Sequence, residues 1–466
     1  MKDFDVLVVG SGSGMSIVEA AMNRGMSVAL VESGPLGGTC LNVGCIPSKM
    51  VIYPADVINV IEEAGKLGIR ARIEEIDFAF IMERSRRLVK EDRRHMEAGV
   101  RHAEGLAFYN DVGEFVSDYT MSVSGKTVRA ENVFIVPGAR PLIPPIEGLE
   151  DAGYLTSQTV WDLTERPESI IIVGGGFVAV EFAHFFSSVG TEVTLLSRSP
   201  RLLKQAEPEV SELLEGAMSR RMAVVKGVEA VAARRKGALK EVEAVDGGSG
   251  ETLTFSAEEL FIAAGRRSNA DLLKPEKTGV ELDDRGFVRV NEYLETSKKR
   301  IWAFGDAIGK HMFKHVANYE AGVAWHNFVD RQKVPVDYSA VPYAVFGSPQ
   351  VASVGMTEGE ARARGHDVLI GAYEFSDTAK GAAMGVEEGF VKVVVEDRTY
   401  RILGAHIVGP HAPILIQEII TAMNAGDGSV APIQGSMYIH PALPEVVQRA
   451  FFNLHRHAHE HEHGGN

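Results

Sequence analysis

Two copies of one glycine-rich pattern restrict the folds open to this 466-residue chain. The opening segment reads DFDVLVVGSGSGMSIVEAAMNRGMSVALVES and holds Gly10, Gly12 and Gly14 between an apolar run and a helical run, with Glu32 ending a second apolar run. This order predicts a βαβ unit whose glycines let the backbone approach a pyrophosphate at a helix N-terminus. Glu32 is placed to accept hydrogen bonds from ribose hydroxyls. The segment therefore predicts a nucleotide site.

The same pattern recurs as SIIIVGGGFVAVEFAHFFSSVGTEVTLLSRSP, with Gly174, Gly176 and Ala179 in the fingerprint places. One such motif is weak evidence, and the first copy departs from it because Met15 stands where a third glycine would allow tight helix packing. Structural glycine turns are the alternative interpretation. Two full copies favour two nucleotide sites, and two nucleotides in one chain indicate electron transfer between them.

The end of the second strand differs between the copies. In the second copy Ser197 and Arg198 replace the carboxylate, and Arg201 and Lys204 follow closely. A carboxylate would repel a ribose 2′-phosphate, whereas Arg198 can make charge-assisted hydrogen bonds to it. The sequence therefore favours NADPH over NADH at this site, with a solvated basic turn as the alternative.

Both cysteines of the chain, Cys40 and Cys45, lie in the segment GGTCLNVGCIPSK. Two cysteines are too few for a disulfide-stapled scaffold, and a disulfide between them would close a loop too short to add much stability. A chemical use is the favoured interpretation, with two unrelated buried thiols as the alternative. Cys45 leads into a predicted helix, where the positive end of the helix dipole lowers the pKa of a thiol.

Composition excludes several classes of protein. With 63 acidic against 48 basic residues the net charge is −15, which disfavours a nucleic acid partner. The opening segment lacks the pattern of a secretory signal, and glycines, Glu181 and His184 interrupt the most apolar later stretch. We therefore expect a globular, cytoplasmic protein without a membrane span, and a length that accommodates about three domains.

Two further segments, IWAFGDAIG at 301–309 and IHPALPEVV at 439–447, complete a resemblance. With them the chain resembles the flavin-dependent pyridine nucleotide–disulfide oxidoreductases over about residues 4–452. GGTCLNVGCIPSKM, GRRSNADLL, FKHVANYEA and HPALPEVV look most like segments of the mycothione reductases, and next like the dihydrolipoamide dehydrogenases. The resemblance implies an α/β fold with two Rossmann-like nucleotide-binding domains, for FAD and NAD(P), and a C-terminal α+β dimerisation domain.

The resemblance also implies a division of the chain and a homodimer. Its parts are an FAD-binding domain of residues 1–144 and 269–338, an NAD(P)-binding domain of 145–268, an interface domain of 339–454 and a disordered His-rich tail of 455–466. Turn-forming residues in PGARPLIPPIEG (137–148) and GRRSNADLLKP (265–275) agree with this insertion of one domain into another. Pro137 departs from the small or hydroxylated residue usual before Gly138.

By the same resemblance, FAD occupies the first glycine turn, with Glu32 on its adenosine ribose and Asp306 on its ribityl or pyrophosphate region. NADPH occupies the second turn, and NADH is possible there. The other implied cofactor contacts are Thr39, Lys49, Gly138 and Gly265. Lys49 is expected near the flavin N5 with Glu181 as its partner, and Phe177 is expected over the nicotinamide face of the flavin.

The implied chemistry passes hydride from NADPH to the flavin and then reduces a Cys40–Cys45 disulfide. Cys45 faces the flavin, and Cys40 attacks a small disulfide substrate. His440 is the expected proton donor and acceptor, oriented by Glu445 through a turn that two prolines keep from being helical. In the family this pair reaches the active site of the other subunit.

Other functions remain open at this stage. Mercuric reductases and large thioredoxin reductases use further cysteines near the C-terminus, which this chain lacks. A dihydrolipoamide dehydrogenase is the enzymatic alternative, and a metal-binding or complex-docking flavoprotein subunit is the alternative of another class. The histidines that alternate from His455 to His463 are compatible with weak metal binding or with a merely solvated tail. No metal site is expected elsewhere.

Overall fold

The computed structural model describes residues 2–456. The first third of the chain supplies most of one sheet and the helices that cover it. A 3-10 turn, Glu63–Leu67, follows its third helix. Its elements are β1 (Lys2–Val9), α1 (Gly14–Met22), β2 (Val28–Val31), α2 (Gly38–Asn42), α3 (Cys45–Glu62), α4 (Phe78–His102), β3 (Leu106–Tyr109), β4 (Glu114–Ser117), β5 (Thr120–Val123), β6 (Lys126–Ile135) and β7 (Ala139–Pro141).

The second segment carries the repeated glycine pattern. Its elements are α5 (Leu149–Ala152), β8 (Leu155–Thr156), a 3-10 turn (Val160–Asp162), β9 (Ser169–Val173), α6 (Phe177–Ser188), β10 (Glu192–Ser197), α7 (Pro208–Ser219), β11 (Ala223–Lys226), β12 (Val228–Lys236), β13 (Leu239–Asp246), β14 (Thr252–Ala257), β15 (Glu259–Ile262) and β16 (Arg266–Ser268).

The remaining segment first returns to the first sheet and then builds a separate one. Its elements are 3-10 turns (Ala270–Leu273 and Pro275–Thr278), β17 (Ile301–Ala303), a 3-10 turn (Gly305–Ile308), α8 (Lys314–Val329), β18 (Pro342–Val345), β19 (Val351–Gly355), α9 (Glu358–Ala363), β20 (Val368–Glu374), α10 (Ala379–Ala383), β21 (Phe390–Glu396), β22 (Ile402–Val408), α11 (Ala412–Met423), α12 (Ala431–Gly435) and α13 (Glu445–Phe452).

The sequence repeat corresponds to a structural duplication. In the first sheet the order β3-β2-β1-β6 is parallel, with β17 parallel to β6 and the antiparallel strands β5 and β4 beyond it. The second sheet repeats that order as β11-β10-β9-β15, also parallel, with β8 at its edge. Such strands read as continuous apolar runs because both of their faces are buried.

The two nucleotide-binding units are joined by two chain crossings that pair with each other. β7 and β16 form a two-stranded antiparallel ribbon. Asn269 donates from its side chain to the carbonyl of Pro137 at 3.0 Å, which holds the first crossing against the second. The proline therefore fits this linker, since its carbonyl is bonded and it has no N–H to satisfy.

The C-terminal unit is an antiparallel sheet in the order β18-β19-β22-β21-β20, and α11 and α13 pack on it. His455, the first residue of the predicted tail, exchanges backbone hydrogen bonds of 2.9 and 3.0 Å with Ile370. The rest of that tail from residue 457 lies outside the described residues.

Residues 2–456 contain neither a membrane-spanning helix nor a cluster of metal-binding side chains. No helix there is both long enough and apolar enough to cross a membrane. No group of three or more histidine, cysteine or acidic side chains in the same range is arranged to hold a metal ion.

Candidate active site

In the first glycine turn, the space beside Gly10 is filled by backbone atoms of the protein, and the space beside Gly12 is open to a ligand. Gly10 has φ +110°, and an ideal Cβ on it would lie 2.7 Å from the carbonyl carbon of Val136. Only glycine fits there, because β6 crosses directly beside the turn. An ideal Cβ on Gly12 would meet no atom within 4 Å. The space beside Gly12 is therefore available to a pyrophosphate at the start of α1.

The close contact between helix and sheet, which the fingerprint assigns to its third glycine, is supplied here by Gly14. An ideal Cβ on Gly14 would lie 2.8 Å from the side chain of Val136 and 2.9 Å from that of Val8. Met15 is half-buried and packs against the core under the first sheet. The departure at residue 15 thus leaves the turn intact, because its neighbour makes the close approach.

The second glycine turn has the same division of roles. Gly174 has φ +148°, and an ideal Cβ on it would lie 2.8 Å from the carbonyl carbon of Ala263 at the end of β15. Gly176 precedes α6 and faces open space, and Ala179 is fully buried on that helix. Both turns therefore have the shape that a dinucleotide requires.

Glu32 lies just after β2, beside the first turn. Its Oε2 accepts hydrogen bonds from the Ser11 backbone N–H at 2.9 Å and from the Ser11 hydroxyl at 2.8 Å. Its Oε1 accepts from the Gly34 N–H at 2.8 Å. These bonds fix the carboxylate while its remaining lone pairs can accept from ribose hydroxyls.

The corresponding end of β10 is basic, but one of its cations already has a partner. Arg198 is 80% exposed and pairs with Glu229 Oε1 at 3.1 Å. Arg201 is half-buried and Lys204 is exposed in the loop that follows. The structure therefore places three cationic side chains after this strand, with Arg198 held by an exposed ion pair of the kind that exchanges partners at little cost.

The two cysteines lie on consecutive helices and interact as a thiol pair. Cys40 is half-buried on α2, directly after Thr39, and Cys45 is the exposed first residue of α3. A hydrogen bond from the Cys40 thiol, together with the charge of Lys49, lowers the pKa of Cys45 to about 7. The same hydrogen bond and burial raise the pKa of Cys40. In the reduced pair, Cys45 is therefore the thiol that ionises first.

Lys49 and Glu181 are brought together across the contact between α3 and α6. Lys49 Nζ donates to Glu181 Oε2 at 2.7 Å and lies 4.5 Å from the ring centre of Phe346. The Phe346 N–H donates to Glu181 Oε1 at 3.1 Å. The buried carboxylate therefore fixes the ammonium one helical turn beyond Cys45.

His440 and Glu445 form a second pair in the C-terminal unit. His440 Nδ1 lies 2.9 Å from Glu445 Oε1, and the Ala442 N–H donates to Oε2 at 3.0 Å. The histidine's hydrogen bond lowers the pKa of Glu445. The side chain of His440 is 70% exposed, beside the exposed apolar Met437 and Ile439. This surface is available to a second subunit.

The remaining predicted cofactor contacts lie around the two chain crossings. Gly138 (φ +70°) and Gly265 (φ +134°) turn the chain at the two crossings. Asp306 forms an ion pair with Arg266, in which Oδ2 lies 3.3 Å from Nε. Burial raises the pKa of the Asp306 carboxyl. These three residues thus lie where the second unit joins the first.

Two features of the site were not predicted from the sequence: the aromatic residues that contact Phe177, and the position of Lys314. Phe177 packs against Phe313 at 5.3 Å and Tyr343 at 6.1 Å between ring centres, so three units of the chain contribute to one aromatic cluster. Lys314, the first residue of α8, donates a 2.9 Å hydrogen bond to the hydroxyl of Ser13 in the first glycine turn. The sequence contains one indication of this: Lys314 has no acidic residue three or four positions later that could pair with it on a helix.

Comparisons with known proteins agree with this geometry. Residues 4–321 match the model described as pyridine nucleotide-disulphide oxidoreductase, and residues 341–451 match the dimerisation domain of the same family. The chain belongs to this family. As a member of it, the protein is a flavoprotein oxidoreductase that uses FAD and NAD(P)H, and the match to the dimerisation domain supports a homodimer.

Individual relatives cover nearly the whole length of this oxidoreductase. It is 38% identical over 465 residues to mycothione reductase of Mycobacterium tuberculosis (strain ATCC 25618 / H37Rv), which covers 97% of this chain and 100% of that protein. It is 31% identical over 467 residues to dihydrolipoyl dehydrogenase of Bacillus subtilis (strain 168), covering 96% and 97%. The solved structure of the HOCl-induced flavoprotein disulfide reductase RclA from Escherichia coli matches with a TM-score of 0.86 at 25% identity, covering 96% and 99%.

The residues present fit the two cofactors of the family. Gly12 and Gly176 leave open space at helix N-termini, where a pyrophosphate can approach the backbone. Glu32 offers fixed acceptor atoms beside the first turn, and cationic side chains follow the second. FAD in the first turn and NAD(P)H in the second are therefore compatible with the local chemistry.

Proposed function

We propose that this protein is an NADPH-driven reductase of a small disulfide, similar in activity to the mycothione reductases. The observation that carries the proposal is the placement of Cys40 and Cys45 on consecutive helices beside the first glycine turn, with the ammonium of Lys49 held by Glu181 one helical turn beyond Cys45. The identity to mycothione reductase over nearly the whole chain supports the choice of substrate class. The domain division predicted from the sequence is part of the same proposal.

The thiol pair can perform a balanced two-electron reduction. Cys40 loses its proton to a base, and its sulfur bonds to one sulfur of the substrate as the substrate S–S bond breaks. The departing sulfur takes up a proton and leaves as a thiol. The Cys45 thiolate then attacks Cys40, which re-forms the internal disulfide and releases the second half of the substrate as a thiolate that is protonated. Bound FAD supplies the reducing equivalents of NADPH that restore the dithiol.

His440 is the proposed base and acid of this exchange. An imidazole is suited to take the Cys40 proton and return it to the departing sulfur near neutral pH. Glu445 bonds to Nδ1, which leaves Nε2 for the substrate side of the ring and stabilises the imidazolium. Because His440 lies beside exposed apolar residues of the dimerisation domain, we propose that it serves the thiol pair of the other subunit.

The preference for NADPH rests on the residues after β10. Arg198, Arg201 and Lys204 provide positive charge where a 2′-phosphate would lie, and no carboxylate ends this strand. A second candidate, a dihydrolipoamide dehydrogenase that uses NADH, is favoured by the ion pair between Arg198 and Glu229, which partly neutralises that charge.

Steady-state kinetics of the FAD-loaded protein test the proposal. NADPH and NADH are each supplied with mycothione, glutathione disulfide, coenzyme A disulfide or lipoamide, and NAD+ is supplied with dihydrolipoamide. We expect the highest kcat/KM for NADPH with a small thiol disulfide, and loss of turnover in Cys40→Ser. A strong preference for NADH with lipoamide would replace the proposal by the second candidate. Removal of residues 457–466 is the control for a metal-binding role of the tail, and we expect it to leave turnover intact.

A further inference from the structure

A buried cluster of charges joins the second nucleotide-binding unit to the C-terminal unit. At its centre lies Lys392, a buried residue of β21. Its Nζ lies 2.9 Å from Glu209 Oε1, 3.0 Å from Glu358 Oε2 and 3.3 Å from Glu207 Oε2. Glu358 begins α9 of the C-terminal unit, whereas Glu207 and Glu209 lie at the start of α7 in the second unit. One ammonium therefore neutralises carboxylates from both units.

The buried carboxylate of Glu207 is bound by groups of the C-terminal unit. Its Oε1 accepts the Glu358 N–H at 2.6 Å, and His406 Nε2 lies 3.7 Å away. That nitrogen also lies 3.1 Å from the Met356 carbonyl, which can only accept, and burial lowers the pKa of His406. The imidazole is therefore neutral, and Lys392 supplies the positive charge. Without it Glu207 would be a buried charge without a cation, which is costly in free energy.

The loop that carries Arg201 and Lys204 ends at this cluster. Its backbone is fixed within the second unit, because the Leu203 N–H donates to the carbonyl of Gly175 in the second glycine turn at 2.8 Å. Leu203 has φ +45°, a conformation that a residue other than glycine keeps only where its surroundings impose it. The backbone beside Lys204 is therefore set by the second unit itself. What the C-terminal unit can change is the direction of the two cationic side chains.

A cavity of about 530 Å³ connects these side chains to the cluster. Arg201 and Lys204 line it, together with Lys392 and its three carboxylate partners. The other cation in the lining, Arg362, is already paired with Glu358 Oε1 at 3.0 Å. Among the lining residues in 2–456, Arg201 and Lys204 are therefore the cations that could take the place of Lys392 beside the α7 glutamates.

We propose that Lys392 is a positioning residue for NADPH. It neutralises the two α7 glutamates, so that Arg201 and Lys204 remain free to bind the 2′-phosphate of the nucleotide. The inference rests on the proposed function, which places that phosphate beside these two cations. Without Lys392, the glutamates attract Arg201 and Lys204 across the cavity, and the positive charge available to the phosphate falls. A lysine of the C-terminal unit thereby sets the nucleotide preference of the second unit.

The test measures binding of adenosine 2′,5′-bisphosphate to the FAD-loaded full chain by calorimetry, with 5′-AMP, which lacks the 2′-phosphate, as the comparison ligand. We expect Lys392→Met to weaken binding of the bisphosphate about tenfold, the low end for loss of a hydrogen bond to a charged group, and to change binding of 5′-AMP by less than about twofold. Lys392→Arg should restore the affinity for the bisphosphate.

Lys240→Met is the matched control. Lys240 is also buried and also forms an ion pair, with Glu259, but it lies on β13 and is not among the residues in 2–456 that line the cavity. Its loss removes one buried lysine from the second unit without changing the charge beside Arg201 and Lys204. We therefore expect the ratio of the two ligand affinities to stay constant.

A second substitution distinguishes an effect of charge from a loss of structure. Glu209 is exposed and is the nearest of the three carboxylates to Lys392. Adding Glu209→Gln to Lys392→Met removes one competitor for Arg201 and Lys204, and we expect it to recover about threefold in affinity for the bisphosphate, as for a partly exposed charge pair. Equal weakening of both ligands in Lys392→Met, or no recovery in the double variant, would overturn the proposal. If Lys392→Met does not retain FAD, Lys392→Gln, which keeps a hydrogen-bond donor, takes its place with the same expectations.

These outcomes are distinct from those of the disulfide assay. If selectivity for the bisphosphate falls in Lys392→Met but none of the four disulfides is reduced, the proposed substrate class fails while the role of Lys392 stands. If NADPH reduces a disulfide and the ratio of the two ligand affinities is the same in Lys392→Met as in the unmodified chain, the proposed function stands and the role of Lys392 fails. An unmodified chain that binds 5′-AMP as tightly as the bisphosphate would overturn both the NADPH preference and the role of Lys392.

Discussion

Gly12→Ala should separate cofactor binding from folding, because the first glycine turn assigns these two roles to different residues. An ideal Cβ on Gly12 meets nothing within 4 Å, and its backbone is not in the left-handed region. The methyl group would therefore be accommodated by the protein alone. It would project into the space that the cofactor's pyrophosphate needs for contact with the backbone.

The expected magnitudes follow from these contacts. Gly12→Ala should change the free energy of unfolding of the FAD-free protein by no more than ~0.5 kcal/mol, as for a substitution without a steric conflict. Loss of one hydrogen bond to a charged phosphate costs about 1.5–3 kcal/mol, which weakens FAD binding roughly 10- to 150-fold. Gly10→Ala should instead destabilise the FAD-free protein by about 2–6 kcal/mol, because strain at φ +110° adds to a collision with Val136.

The assay compares thermal unfolding of the FAD-free proteins with FAD affinity from titration of flavin fluorescence. Gly176→Ala is the matched control, since its Cβ also faces open space but in the second turn. It should raise the KM for NADPH and leave FAD affinity unchanged. If Gly12→Ala binds FAD as tightly as the unmodified chain while Gly176→Ala weakens it, the order of the cofactors along the chain is wrong.

Three further substitutions test the site. Lys49→Met should raise the pKa of Cys45 from about 7 by about one pH unit, because it removes a nearby positive charge. The thiolate is favoured above that pKa and is lost as pH falls through it. Iodoacetamide alkylation of the reduced protein should therefore decline at a higher pH than in the unmodified chain. Arg198→Glu should lower kcat/KM for NADPH at least tenfold relative to NADH, measured with one disulfide, and an unchanged ratio would refute the 2′-phosphate role. Glu445→Gln should release His440 and lower kcat for the disulfide by about 100-fold, the low end of what general acid–base catalysis contributes, while the rate of flavin reduction by NADPH in stopped flow stays constant.

The parts of the fold that the sequence predicts well are those set by local spacing. The glycine turns predict both βαβ units because a turn of this kind needs particular backbone angles at particular residues. The helix start at Cys45 is equally local. Lys49 follows one turn later on the same helix, so its place relative to the thiol is set by helical geometry.

Other features depend on contacts between distant segments and could not be predicted from the sequence. Gly14 makes the close approach expected of the third fingerprint glycine, because a Cβ on it would collide with the side chains of Val8 and Val136 from two other segments. Arg198 pairs with Glu229 on β12, a strand whose position follows from the second unit as a whole. Lys314 comes to the first glycine turn from a helix that follows the second unit, so no spacing in the sequence relates it to Ser13.

The ion pair between Lys49 and Glu181 joins the two nucleotide-binding units. Glu181 lies on α6 of the second nucleotide-binding unit, so any shift of that unit changes the ion pair with Lys49 and hence the charge on Cys45. Binding of NADPH in the second glycine turn can therefore alter the charge on Cys45. In the single-thiol variants Cys40→Ser and Cys45→Ser, we expect saturating NADP+ to move the alkylation midpoint of Cys45 more than that of Cys40, because the pKa of Cys45 depends on the ion pair of Lys49 with a carboxylate supplied by the unit that binds the nucleotide.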